Sequence, residues 1–373
     1  MMRPDYRNSI MNVSRSLLRF YGAYDGDDTI KVLDDALDGS VNHVIYMLLD
    51  GLGMNIIREH LDHDSFVRRN LAKTVTSVFP PTTSAATTAV LSAKPPIETG
   101  WLGWMQRFES IGRHVILFRN TDYYTEESLD IDIKKDHLPY ETITETIGRV
   151  RPDVKTTVLF PSFVPNGYKT FSDMLFALDV ITDTNAKSMS YAYWTEPDLS
   201  IHEKGIKADD VGTLVRDLDR SLSDFSKTLP GDALLVLIAD HGMIDVKADP
   251  LHDDTELLAM LKTMPSLESR VTVFHLKDGM KDAFIRHFKE TYKDNYALFE
   301  SETLIEQGLF GTGPVHPLAR DFLGDMIAVA TKDRMLSVTK GFPFKAHHAG
   351  MTKEELEVPL VIFKKHVTSE DLS

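Results

Sequence analysis

Apolar runs bounded by turn residues recur along the chain, at 44–49, 75–79, 115–118, 156–160, 191–194, 234–239 and 359–363. Several are apolar at nearly every position, as strands buried on both faces are. Between them, 53–61, 84–92, 141–148 and 209–229 carry helical patterns, the last closed by Pro230 and Gly231. Strands alternating with helices predict a doubly wound α/β fold around a mostly parallel sheet. From about 245 to 341 the texture shifts to a strand-like 271–274, helical 280–292 and 300–307, and a Gly/Pro-rich GTGPVHP. This predicts an inserted α+β subdomain at 246–340 that interrupts a main domain of 1–245 and 341–373. Near the start, Ile10, Val13, Leu17 and Tyr21 share one face of a predicted helix. Few basic residues and no lysine precede Lys31, so that helix is read as packing on the body rather than on a membrane.

Composition narrows the chemistry. The 373 residues suffice for one large domain with an insertion, and 42% hydrophobic with 26% charged residues is ordinary for a globular protein. There is no uninterrupted apolar stretch of membrane-spanning length and no secretory h-region in the first residues. A cytoplasmic location is expected. The chain has no cysteine, so disulfides, thiolate metal sites and cysteine nucleophiles are excluded, and any metal must be held by His and carboxylate. A net charge of −15 argues against a nucleic-acid polymer as partner, while one small phosphate at a local metal site remains compatible.

Five segments carry candidate chemistry. Asp50 ends the first apolar run ahead of Gly51 and Gly53, where ligands bind in an open α/β sheet, although a helix N-cap would look the same. Asp240 and His241 end the run ALLVLIA and precede Gly242; adjacent side chains at such a turn can ligate one metal, or be an ordinary surface turn. Asp198 and His202 follow YAYW, and on a helix their spacing puts both on one face. His348, in KAHHAG, lies just before the last run, with His347 beside it the weaker candidate. Finally, in FPPTTSAATTAVLSA the prolines stop a strand and Thr82, Thr83 or Ser84 opens an alanine-rich helix, where free N–H groups favour an anion. A hydroxyl there is either a plain cap or a nucleophile, and a metal is the natural activator.

Taken in order, LLDGLG, FPPTTSAATTAVLSA, YWTEPDLSIHEKG, IADHGM and AHHAGMTKEELEVPL resemble the alkaline phosphatase superfamily, above all its nucleotide pyrophosphatase/phosphodiesterase branch. The resemblance runs from about 41 to 363. It implies a three-layer α/β/α sandwich and two divalent ions, zinc first and manganese as the alternative. One ion would be held by Asp198, His202 and His348, the other by Asp50, Asp240, His241 and the Thr83 oxygen. Thr83 is favoured as nucleophile because the family's helix reaches a small residue ten positions on, here Ala93; Ser84 is the second choice. The implied reaction is hydrolysis of small, nucleotide-like phosphodiesters or pyrophosphates through a threonyl-phosphate. The alternatives are a phosphomonoesterase of the same superfamily and a metal-stabilised binding protein without turnover. A sulfatase or a phosphoglycerate-type mutase lacks its own motif here. Ala86 stands where the branch is expected to carry a phosphate-contacting Asn, so another donor is needed, Lys345 or a residue of the insertion. Trp101 and Trp104 are read as core rather than as a platform for substrate.

Overall fold

The computed structural model of the protein describes residues 1–341 and 344–365. At its centre His43–Leu49 is flanked on one side by Ser188–Trp194 and then Lys155–Leu159. On the other side lie Ala233–Ile238, Glu357–Lys364 and Leu71–Thr76. The strands on either side of His43–Leu49 pair with it in parallel, as does Lys155–Leu159 with Ser188–Trp194. Glu357–Lys364 runs antiparallel to both of its neighbours. Every residue of His43–Leu49 and Ala233–Ile238 is buried, which is why these strands read as unbroken apolar runs rather than alternating ones.

Ile10–Phe20, Thr83–Ser92 and Ile143–Val150 form one group of packed helices, and Asp209–Thr228 gathers Met54–His60, Phe66–Arg69 and Phe171–Thr182 into another. The result is an α/β/α sandwich. Ile10, Val13 and Leu17 are fully buried, so the N-terminal amphipathic face does pack on the body. Phe171–Thr182 had no predicted counterpart. Its outer face carries Phe176 and Val180, exposed at 69% and 55%, and apolar residues all round erase the helical period.

A second, antiparallel sheet has seven strands in the order Tyr296–Glu300, Met326–Ala330, Val271–Phe274, Ser266–Leu267, Met105–Phe108, Arg113–Ile116, Thr121–Asp122. Here the sequence reading needs correction. The run at 115–118, predicted as a strand of the main sheet, forms part of this one. Its apolar text is the same in both settings because Val115 and Leu117 are buried in a second apolar core with Trp101, Leu267 and Phe322. The two halves of the sheet meet where Leu267 pairs with Met105. Segment 246–340 therefore supplies four strands, and a hairpin from 105–122 supplies the other three. Among the described residues no helix is long and apolar enough to cross a membrane.

Candidate metal centre

The six predicted ligands converge beyond the carboxyl ends of the central strands. Asp50 follows His43–Leu49, and its backbone N–H donates to Trp194 O on the neighbouring strand. Gly51 turns the chain with φ +72°, and a Cβ there would lie 2.9 Å from the Asp198 Cα, so the glycine lets Asp50 and Asp198 approach. Asp240 and His241 leave the end of Ala233–Ile238 with no exposed surface. Asp198 opens the helix Asp198–Lys204, and His202, one turn on, brings its Nε2 within 3.4 Å of the Asp198 Oδ1. His348 stacks on His241 with ring centroids 3.7 Å apart.

The donor set fits metal ions by its hydrogen bonding. His202, His241 and His348 each set Nδ1 against a backbone carbonyl, of Ala346, Gly242 and Pro81 at 2.8, 3.1 and 3.1 Å. A proton held there leaves each Nε2 with a lone pair for a cation. The carboxylates match this. Asp50 takes the Tyr193 hydroxyl on Oδ2 and Asp240 takes the N–H groups of Gly51 and His241 on Oδ1. The remaining oxygens, Asp50 Oδ1 and Asp240 Oδ2, together with Asp198 Oδ1, are buried without a hydrogen-bond partner. Buried oxygens are rarely left so unless something else meets them.

Electrostatics point the same way. Burial, then repulsion from Asp240 and Asp198, pushes the Asp50 carboxyl well above its usual range, and burial with Asp240 and Glu196 does the same to Asp198. Burial lowers His202 to about 4, and it lowers His241 and His348 too. The short His–Asp approaches are therefore not ion pairs at neutral pH. Neutral imidazoles beside carboxylates that resist ionising are a site short of positive charge. Ligand atoms within 4.8 Å of one another form two groups, Asp50, Asp240 and His241, and Asp198, His241 and His348, whereas the expected His202 falls in neither and reaches the cluster through its Nε2, 3.4 Å from Asp198 Oδ1. His241 lies in both because its Nε2 is 3.4 Å from Asp50 Oδ1 while its ring stacks on His348.

Thr83 begins the helix Thr83–Ser92, and its Oγ1 is 3.2 Å from the His241 Nε2. It lines a pocket of ≈ 340 Å³ with Asp198, His202 and His348. Ser84 is fully buried and does not line that pocket. The far wall belongs to the second sheet and its hairpin, with Trp104, Ile116, Arg119, Tyr123 and Glu268.

Residues 44–340 match the family model of type I phosphodiesterase / nucleotide pyrophosphatase. The chain belongs to that family. It is a phosphoester hydrolase of the phosphodiesterase/pyrophosphatase type. No curated protein sequence matches it significantly. Its fold is similar to murine ectonucleotide pyrophosphatase/phosphodiesterase 5, with a TM-score of 0.65 and 17% identity over 85% of this chain and 87% of that one. An inactive threonine-to-alanine variant of the murine protein, in complex with AMP, aligns with a TM-score of 0.64 and 16% identity over 85% and 87%. Phosphonoacetate hydrolase from Sinorhizobium meliloti 1021, in complex with phosphonoformate, gives 0.59 and 15% over 85% and 89%.

Within this hydrolase several expectations about the pocket change. Ala86 is fully buried in its helix and does not line the pocket, so a side chain there is not the missing donor. Lys345 is exposed and also outside it. Among the described residues the cation lining the pocket is Arg119, on the hairpin from 105–122. Trp101 is core, its Nε1 donating to Leu138 O, whereas Trp104 is half-buried and faces the pocket. Tyr193, which holds Asp50, and Glu268 were not singled out in the sequence. Each acts on a partner more than a hundred residues away, and only the alternation of YAYW from the strand end hinted at Tyr193.

Proposed function

We propose that this enzyme hydrolyses small, nucleotide-like phosphodiesters or pyrophosphates at a two-metal centre, with Thr83 as nucleophile. The observation that carries the reading is the set of three partnerless buried carboxylate oxygens clustered with His241 and His348, with the half-buried Thr83 hydroxyl 3.2 Å from the His241 Nε2. Asp198, His202 and His348 would hold one ion, and Asp50, Asp240, His241 and the Thr83 oxygen the other, zinc being the first choice. Such ions supply Lewis acidity and activate hydroxyl and water oxygens at neutral pH. The Thr83 Oγ attacks phosphorus and gives up its proton, and the leaving group departs with the electron pair of its P–O bond. Water then cleaves the threonyl-phosphate. N–H groups of the first turn of Thr83–Ser92 face the phosphoryl oxygens during both steps.

The pocket extends from this centre along an apolar wall formed by Trp104, Met105, Ile116 and Leu267, which favours an ester with a second substituent over a bare monoester. Arg119 stands in the pocket to meet an anionic group of the substrate beyond the scissile phosphate. The inactivity of a threonine variant in the murine neighbour, and its binding of AMP, support both the nucleophile and the substrate class. The test is Thr83→Ala, assayed on a chromogenic bis-phosphodiester and on the matching monoester. Turnover of the diester should vanish with metal content unchanged. Retained turnover would remove Thr83 from the mechanism, and a preference for the monoester would replace the diester reading.

A further inference from the structure

Glu268 lies in the turn between Ser266–Leu267 and Val271–Phe274, on the pocket wall that the second sheet provides. Its main chain is tied down, with Glu268 N donating to Val271 O at 3.0 Å and Thr272 Oγ1 donating to Glu268 O at 2.8 Å. The residue before it, Leu267, has φ +82°, a left-handed conformation that leucine avoids and that tends to be kept where a site needs it. The side chain is buried, and one carboxylate oxygen, Oε1, accepts two hydrogen bonds, from Thr82 Oγ1 at 2.6 Å and from Trp104 N at 2.7 Å. Burial raises this carboxyl to about 7, and Oε1 accepts in either protonation state.

The Thr82 bond is unusual for its position. Thr82 is the N-cap of the helix that Thr83 opens, and a threonine there ordinarily turns its hydroxyl onto the helix N–H groups. Here it makes no such bond and reaches across to Glu268. The first-turn N–H groups are thereby left unclaimed by the cap, as an anion-receiving helix end requires.

We propose that Glu268 is a positioning residue. By gathering the Thr82 hydroxyl and the Trp104 amide on one oxygen, it fixes the start of the nucleophile's helix against the second sheet, sets Thr83 before the ligand cluster and keeps the first-turn N–H groups open to phosphoryl oxygens. This rests on Thr83 being the nucleophile.

The test compares Glu268→Ala, Glu268→Gln and Thr82→Val by kcat, KM and metal content on bis(p-nitrophenyl) phosphate. Misplacing the attacking atom is expected to lower kcat of Glu268→Ala by about a hundredfold with KM and metal content near wild type. Gln keeps an oxygen that accepts both bonds, so Glu268→Gln should retain most of kcat. Thr82→Val, which removes one of the two bonds, should lower kcat with KM near wild type by no more than Glu268→Ala does, and the double variant should lose no more than Glu268→Ala, because the Thr82 contact is already broken there. An unchanged kcat in Glu268→Ala, equal losses in the Ala and Gln variants, or multiplied losses in the double variant would each overturn the proposal. Should Glu268→Ala fail to fold, the Gln and Val variants decide it alone. Thr83→Ala, assayed alongside, separates the two claims: an active Thr83→Ala removes the nucleophile, whereas an inactive one beside an unaffected Glu268→Ala removes only the positioning role.

Discussion

The two sheets contribute to the site in opposite ways. The central sheet presents Asp50 and Asp240 from the ends of neighbouring strands, so its chemistry is local: each ligand is set by the strand it terminates. The second sheet adds no candidate ligand. It supplies the pocket's far wall through Trp104, Arg119 and Glu268, brought together only by the pairing of 105–116 with 266–274. Metal binding thus belongs to one sheet and substrate shape to the other, and the two meet at Thr82 and Thr83.

The largest expected effect comes from stripping the metals. Chelation should abolish turnover and destabilise the main domain, and at a thousandfold excess over Kd a bound ion adds about 4 kcal/mol. The carboxyls' share of the pH dependence should also change sign, opposed in the metal-free protein by the buried imidazoles, whose lowered values make stability rise with pH. In the metal-free protein the Asp50 and Asp198 carboxyls are raised above their unfolded values, so the folded state holds protons more tightly. Their contribution to stability is then full below the ordinary carboxylate range and is lost as pH rises through the raised folded values. Bound cations favour the ionised carboxylates and the neutral imidazoles and reverse that slope. Melting curves with and without chelator from pH 4 to 8 check this, and parallel pH profiles would show that the cluster holds no metal.

That asymmetry also explains what was legible beforehand. The ligands could be found because a polar residue ending an apolar run is visible in one dimension, as are helix 10–20 from its apolar face, 83–92 from the prolines before it and its small residues, and 209–228 from its pattern and the Pro230 and Gly231 that close it. The antiparallel sheet could not be found this way. A buried strand reads as the same apolar run whichever sheet it joins, so the text of 115–118 does not distinguish the central sheet from the antiparallel one that it joins. Glu268 sits in SLESR among polar neighbours that look like a surface turn, and Arg119 looks like any exposed hairpin residue. Their roles depend on partners 186 residues away in the first case and on a pocket in the second.

A second contact ties the sheets together and ranks next in effect. Arg270 of the second sheet and Glu355 beside the His348 loop are both fully buried and paired through two bonds of 2.6 and 2.9 Å. Glu355 also accepts from Gly350 N and Thr352 N, which holds the chain just after His348. Arg270→Leu would leave a buried carboxylate short of its counter-charge, at a cost of about 3–5 kcal/mol. The exposed pair Arg149 and Glu141 should contribute under about 1 kcal/mol. Denaturant titration of Arg270→Leu and Arg149→Ala compares them, and similar losses would mean that the buried pair does not brace the site.

Arg119 gives the smallest and most selective effect. It is exposed, carries no ion pair among the described residues, and stands in the pocket with Asp198 and Glu268. Among the described residues neither Asp198 nor Glu268 forms an ion pair with the guanidinium. If the second sheet, apart from the Glu268 contact to Thr82, sets substrate shape, removing this charge while keeping the chain length should weaken binding and leave the chemical step alone. Arg119→Met is therefore expected to raise KM about tenfold, the worth of one charge-assisted hydrogen bond, for an ester bearing an anionic group beyond the scissile phosphate. For a neutral-armed diester KM should barely move, and kcat should hold for both. A fall in kcat on both substrates would place Arg119 at the reacting phosphoryl group instead, and the division between the sheets would then fail at that residue.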